Sequence, residues 1–239
     1  MNKEPLFIGE FRQDGRKAKE NRELKVKMNI TKDSNGSCML SLGQTKVISW
    51  INGPRESKSR TQEKKGSVKC IFTQAPFSGM IRKKDFKRDL KMREFSKILK
   101  DIFEQIIRLD LYAKSEIIIN VLVLQNDGNY KSASINAITF ALINAGIYIK
   151  DSVVGINVGC SEDDIFIYDL QLQEEKQYIP ILNVAFLPHT KKLVYTELVN
   201  AKTPYNKLSL LMKEAEDASL LLYNEQKKIL LQEYYNQDE

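Results

Sequence analysis

The stretch from Leu124 to Ala137 constrains the fold more than any other part of the chain. An apolar run, Ile117 to Leu124, has the length and composition of a buried strand. Asp127-Gly128-Asn129 then supplies a tight turn. Small residues follow and open an apolar helix, predicted over Ile135 to Ala145. A strand, a small-residue turn and a helix N-terminus in succession make an anion site. Free N–H groups and the positive end of the helix dipole face the same point. Lys131 and Ser132 add a charge and a hydroxyl. Taken alone the pattern is common, and many such connections bind nothing.

Shorter apolar runs flank this unit. Leu24 to Ile30, Ser37 to Leu42 and Thr45 to Ile51 have strand length, with turns at Asp33 to Gly36 and at Gly43-Gln44. They predict an antiparallel meander. Val68 to Thr73 predicts another strand, after a polar, lysine-rich loop from Ser57 to Gly66. Met92 to Leu109 places Phe95, Leu99, Ile102 and Ile106 at helical spacing, which gives an amphipathic helix. Further on, Val153 to Val158, Ile165 to Asp169, Ile181 to Phe186 and Leu193 to Leu198 predict strands. Tyr205 to about Tyr235 predicts a long helix. The expectation is one α+β unit, residues 12–222, whose last helix continues to about 235, with tails at 1–11 and 236–239.

Bulk properties exclude several classes. The chain has 239 residues, 42% hydrophobic and 28% charged, enough for a real core beneath a soluble surface. No apolar run approaches the roughly 20 residues that span a bilayer. Met1 to Glu10 holds no apolar signal-peptide core. A cytosolic or nuclear chain without a membrane role is expected. Cys38, Cys70 and Cys160 are scattered and lack zinc-ligand spacing, so they read as reduced, buried thiols. His189 is the single histidine and lies in a turn, where an exposed loop role is expected over catalysis. Any metal site would have to be carboxylate-built, which suits magnesium or manganese. Net charge is +6, and Arg82, Lys83, Lys84, Lys87, Arg88, Lys91 and Arg93 crowd one segment. Polyanions, RNA first, are the expected partners.

Several ordered blocks carry a resemblance. Arg12-Gln13-Asp14-Gly15-Arg16 with Glu20 and Arg22 resembles the opening motif of the RNase PH family. Gly36-Ser37, Gly43 to Val47, Gly53-Pro54-Arg55-Glu56 and Ala75-Pro76-Phe77-Ser78 resemble its next blocks. Ala145-Gly146-Ile147 and Asp169-Leu170 with Glu174-Glu175 resemble its later ones. The likeness runs from about Arg12 to about Leu222. It implies an RNase PH-like fold, similar to the second domain of ribosomal protein S5, with two pseudo-repeated βαβ-containing halves. Within the family, the opening and the Gly-Pro-Arg-Glu block most resemble the exosome ring subunit that carries the active site in archaea, and its eukaryotic counterpart.

The family degrades RNA by phosphorolysis. That chemistry needs a phosphate cradle, cations and carboxylates. The family's cradle turn falls on Gly128, Asn129, Tyr130, Lys131, Ser132 and Ala133. Asn129 replaces a second glycine, Tyr130 a threonine, and Lys131 an arginine, so a point charge stands in for a bidentate fork. The family's paired arginines before the first long helix fall on Leu90 and Lys91. Its two acids fall on Asp169 and on Glu175, the latter one methylene longer than the usual aspartate. The resemblance therefore implies a vestigial site: Asp169 and Glu175, with Gly128, Lys131 and Ser132 as remnants of the cradle. Read from the residues alone, Asp169 ends a strand and caps a turn, and Glu174-Glu175 is solvated loop charge. Arg60 matches the family's loop arginine at the narrow part of a ring channel. Lys64 and Lys65 follow it, and Arg88, Lys91 and Arg93 are placed near the RNA path.

The expected function is a non-catalytic ring subunit that guides single-stranded RNA to a separate hydrolytic nuclease. Its implied partners are other RNase PH-like exosome subunits in a heterohexameric ring, S1/KH cap proteins and that nuclease. The nucleus, including the nucleolus, and the cytoplasm are the expected compartments. No cofactor is expected. The alternative is an active phosphorolytic 3′–5′ exoribonuclease using Lys131, Ser132, Asp169 and Glu175, and magnesium enters only there.

Overall fold

The computed structural model describes residues 6–9, 11–56, 65–82, 90–161, 164–200 and 205–235. A short hairpin, β1 (Phe7–Ile8) and β2 (Phe11–Arg12), opens the chain. It leads to a meander of β3 (Leu24–Met28), β4 (Gly36–Leu42) and β5 (Thr45–Glu56). Buried residues alternate along most of β5, so one of its faces meets the core. Strand β6 (Ser67–Gln74), helix α1 (Leu90–Ile106) and strand β7 (Ser115–Gln125) follow. Helix α1 buries Phe95, Leu99, Ile102 and Phe103 and packs on β6. The first sheet has the order β3-β4-β5-β7-β6, with β6 and β7 parallel.

Helix α2 (Tyr130–Asn144) buries every residue from Ser132 to Leu142. A helix buried all round must lie inside the protein. Here it lies against β4 and β5 of the first sheet and against β8 and β10 of a second. The second sheet comprises β8 (Val154–Cys160), β9 (Phe166–Tyr168), β10 (Ile181–Leu187) and β11 (Lys192–Val199), in the order β11-β10-β8-β9. The short helix α3 (Leu172–Glu175) joins β9 to β10. Helix α4 (Tyr205–Tyr235) packs on β8 and buries Leu211, Ala215, Ala218 and Leu222. Where β8 passes the first turn of α2, Gly155 permits the approach: a Cβ there would lie 2.9 Å from the Ser132 backbone. The Asn136 side chain locks the contact, donating to Gly155 O at 2.9 Å and accepting Gly155 N–H at 2.7 Å.

The second half departs from the expected βαβ repeat. Its strand pairings are all antiparallel. The reason lies in the connections: β8 reaches β9 through residues 161–165 and β10 reaches β11 through 188–191, both too short for the crossover of a dozen or more that a parallel pair needs, while β9 and β10, which α3 joins, flank β8 and do not pair with each other. Helix α2 also begins earlier than its apolar run, at Tyr130, which places Lys131 and Ser132 in its first turn.

Candidate functional site

The turn after β7 is held from both sides. Asn126 Oδ1 accepts the Gly128 N–H at 3.1 Å. The Thr45 hydroxyl accepts the Asp127 N–H at 3.1 Å and donates to Gly128 O at 2.8 Å. Gly128 has φ +85°, and a Cβ there would meet Leu172 N at 2.5 Å, so the turn and the start of α3 close on each other. Asn129, the residue before α2, is left-handed at φ 53°, a conformation that asparagine tolerates better than most residues.

Two arginines of the opening motif lie buried beneath this turn. Arg22 grips Asp169 through Nη2 to Oδ1 at 2.7 Å, Nε to Oδ2 at 2.8 Å, and its own backbone N–H to Oδ2 at 3.0 Å. Asn129 Nδ2 adds a bond to Asp169 Oδ1 at 2.7 Å. Burial pushes the Asp169 carboxyl up, but the Arg22 bonds outweigh it and hold the group below the ordinary carboxylate range. Arg12 forms a bidentate pair with Glu174, its Nε donating to Oε1 at 2.7 Å and its Nη2 to Oε2. It also donates to Tyr168 O at 2.7 Å and Asp169 O at 3.0 Å. Glu174 is buried, which corrects its reading as solvated loop charge. Asp169 does follow a strand, but its carboxylate is held by Arg22 and Asn129, with Arg16 Nη1 3.8 Å from Oδ2, rather than capping a turn.

Beside this network a cleft of about 290 Å³ opens between the head of α2 and the edge of the second sheet. Asn129, Tyr130, Lys131, Glu175, Tyr178 and Asn183 are among its lining residues. Glu175 is mostly buried, a second correction to the solvated reading, and its Oε1 accepts the Asn129 N–H at 2.8 Å. Burial raises the Glu175 carboxyl above its usual range, against the Asn129 bond and the charge of Arg22. Lys131 Nζ reaches both oxygens of Glu197, at 2.6 and 2.5 Å. The same carboxylate accepts from Tyr195 OH at 2.8 Å and from Asn183 Nδ2 at 3.1 Å. Burial acts to raise Glu197, but Lys131 and Tyr195 outweigh it and hold the group low. Tyr130 turns its ring to Phe72 and Phe95, with centroids 6.1 and 6.3 Å away, and burial pushes its hydroxyl up to about 12. Ser132 is buried beneath Gly155 and is not among the cleft's lining residues.

The structure thus brings Gly128, Lys131, Asp169 and Glu175 together, and Ser132, in the same first turn of α2, faces β8. Among the described basic residues, Lys65 is exposed with Asp110 Oδ1 at 3.8 Å. Lys91 and Arg93 are exposed in the first turn of α1, next to Leu90, which is 73% exposed. Arg60, Lys64 and Arg88 lie outside the described residues. His189 is exposed, with Nε2 2.8 Å from Tyr223 OH. The cysteines are free; Cys38 and Cys160 are buried and Cys70 partly so. Sequence reasoning did not identify Glu197 or Thr45. The available signal for Glu197 was one acid inside a strand otherwise free of acids, Lys192–Val199.

Comparison with known proteins gives a consistent answer. A family model described as the 3′ exoribonuclease family, domain 1 (RNase PH), matches residues 20–148. Exosome complex component ski6 of Schizosaccharomyces pombe is 38% identical over 197 residues, which is 82% of this chain and 81% of that protein. Exosome complex component Rrp41 of Archaeoglobus fulgidus is 30% identical over 235 residues, 97% of this chain and 90% of its own length. Among solved structures, rice Rrp46 superposes with a TM-score of 0.81 at 23% identity, covering 92% of this chain and all of that one. A chain of the Archaeoglobus fulgidus exosome with RNA bound to the active site gives 0.76 at 17% identity, covering 92% of each. At these identities the two structures speak for the fold.

Proposed function

This chain belongs to the RNase PH family of 3′ exoribonucleases, and on that premise we propose that it is a non-catalytic wall subunit of an exosome ring. In this reading it pairs with other RNase PH-like subunits in a heterohexamer, beneath S1/KH cap proteins. The ring passes single-stranded RNA to a separate 3′–5′ hydrolytic nuclease, in the nucleus, nucleolus and cytoplasm.

One observation carries the reading. The place an attacking phosphate would need, at the head of α2, is furnished with the chain's own carboxylates. Glu175 accepts the Asn129 N–H, and Glu197 neutralises Lys131 through both oxygens. A phosphate dianion would have to displace Glu175 from that N–H and Glu197 from that cation. It would then stand beside two carboxylates, a like-charge arrangement that opposes binding. The nearby guanidinium of Arg22 is committed to Asp169 and closed off beneath the turn. Catalytic electrostatics work when donors are aimed at developing charge before it forms. Here the donors are aimed at internal acceptors.

The exposed cations serve a different purpose. Lys65, Lys91 and Arg93, with Arg60, Lys64 and Arg88 by sequence, offer charge directed at a phosphate backbone. That suits sequence-neutral passage of a phosphate chain. The test is phosphate-dependent release of nucleoside diphosphates from oligoadenylate, with the chain assembled with an RNase PH-like partner that has no activity of its own. No release above the partner-only background is expected. Release that Lys131→Met abolishes would overturn the proposal and establish the phosphorolytic alternative.

A further inference from the structure

A second cavity, of about 320 Å³, lies toward the other end of α2. From Lys131 to Phe140 is roughly 14 Å along a helix axis, so this cavity is separate from the cleft above. It is enclosed by α2, the segment from Ile149 to Ser152, the β10–β11 turn and α4. We propose that it is a nucleotide-binding site, with the base directed inward.

Three features point to that class of ligand. The first is a set of buried polar atoms carried by residues that line the cavity. Asp151 Oδ1, Ser152 Oγ and Gln226 Nε2 are buried atoms with no hydrogen-bond partner in the protein. Asp151 is 5% exposed and Gln226 3%. Seven such side-chain atoms occur among the described residues, and three of them belong to residues of this one cavity. Buried polar atoms are almost always paired, so a cluster of orphans marks a place where something else completes the bonds. Their chemistry is complementary: a carboxylate oxygen only accepts, an amide nitrogen only donates, and a hydroxyl does either. A nucleobase edge presents a donor beside an acceptor and satisfies such a set. The second oxygen of Asp151 accepts from the Thr190 N–H at 3.1 Å and the Thr190 hydroxyl at 3.3 Å, which fixes the carboxylate to the β10–β11 turn.

The second feature is the wall. Phe140, Ile143, Ile149 and Leu230 give it apolar surface, as a flat heterocycle needs on its faces. The third is the rim. Lys150 and Lys227 line the cavity, and they suit a phosphate as point charges. Lys150 spends one N–H on Gln105 O at 2.7 Å and keeps others. His189, with its Nε2 2.8 Å from Tyr223 OH, forms the other edge. The volume sits at the lower end of the range for small-molecule sites. The three atoms are closed to bulk water, so the proposed binding requires the Gln226 side chain to swing before a base edge can reach them.

The experiment is a titration of the full chain, methyl-labelled at isoleucine and leucine, with each of the four nucleoside 5′-monophosphates, a dinucleotide and inorganic phosphate. At least one nucleotide should bind at millimolar concentration or below and shift the methyls of Ile143, Ile149 and Leu230. Mononucleotide binding assigns a free nucleotide as the ligand; dinucleotide binding alone assigns an RNA chain end. Gln226→Met, which keeps the side-chain length, should weaken binding about tenfold or more. Asp151→Asn should shift the order of base preference, and Lys227→Ala should narrow the difference between nucleotide and nucleoside. Failure of every nucleotide to move those methyls would overturn the proposal. So would equal shifts with inorganic phosphate alone, or unchanged affinity in a folded Gln226→Met protein.

Discussion

Replacing Arg22 with methionine keeps much of the side-chain bulk and removes every polar bond that the guanidinium makes. The loss is concentrated on one carboxylate. Asp169 is 2% exposed and would keep the Asn129 amide and a backbone N–H as donors, with Arg16, 3.8 Å away, as its only remaining cation among the described residues. Removing one partner of a buried ion pair costs about 3–5 kcal/mol, most of it the penalty of an uncompensated charge. For a chain of this size each kcal/mol moves the melting temperature by about 2–4 °C, so a drop of roughly 6–20 °C is expected. The pH dependence separates this cause from mere loss of packing. In the parent protein Arg22 holds the Asp169 carboxyl below the ordinary range, against the opposing effect of burial. That stabilisation is present above the unfolded carboxyl pKa of about 4 and is lost as pH falls through the lower folded value. Without Arg22, burial dominates and the folded pKa rises above the unfolded one. The variant then regains stability on acidification, because its folded form takes up the proton first. The stability gap, measured by urea unfolding, should therefore narrow between about pH 7.5 and about pH 5. A cost under about 1 kcal/mol, the size of a surface pair, would refute the reasoning. So would a gap that does not change with pH.

Three further outcomes follow from the same geometry. Glu175→Gln retains an acceptor for the Asn129 N–H, and burial holds the parent carboxyl above its usual range. The variant should be more stable by up to about 1 kcal/mol near pH 8 and lose that advantage near pH 4, where the parent is also neutral. A less stable variant at pH 8 would mean that the carboxylate charge is needed at the helix head. Asn136→Leu strands both backbone groups of Gly155 and should cost about 2–4 kcal/mol in urea unfolding. In an assembled ring, Lys91→Glu with Arg93→Glu should weaken long single-stranded RNA regardless of sequence. The salt slope of binding should become shallower by about 1.4, that is, two backbone contacts on a single strand. An unchanged slope in a filter-binding series would leave these two side chains as solvated surface.

The fold was legible where local pattern and burial agree. The apolar spacing from Tyr205 onward marks α4, and the run from Ile117 to Leu124 marks β7, because a buried face leaves a period in the sequence. The start of α2 was misjudged because Tyr130 to Ser134 carries little apolar signal, although it opens the helix. The supposed βαβ repeat of the second half failed for a different reason: strand direction is set by connection length, and β8–β9 and β10–β11 are joined by only a few residues each. At the site the motif residues were found but their duties were not. Glu174 reads as a solvated acid because it sits in a short charged run, Glu174-Glu175-Lys176, and its buried partner Arg12 is 162 positions away. Lys131 reads as a free cation until Glu197, in β11, is placed beside it. Pairings of this kind are decided by the tertiary fold and leave no local trace.

The reach of the two arginine clamps also bears on how the protein is made. Arg22 and Asp169 are 147 positions apart, and Arg12 and Glu174 are 162. At about 5–20 residues per second, a ribosome needs roughly 7–30 s to follow Arg22 with its partner. During that interval the meander and α1 can settle on neighbours already made, while the opening arginines lack Asp169 and Glu174. Contacts of such long separation form late and slow folding. Closure of the N-terminal segment thus waits until β9 and α3 have been made, with β10 and β11 of the second sheet still to come. A chain cut short before Asp169 would leave Arg12 without its carboxylate and Arg22 with only Thr45, Asp127 and the Gly128 carbonyl to hold.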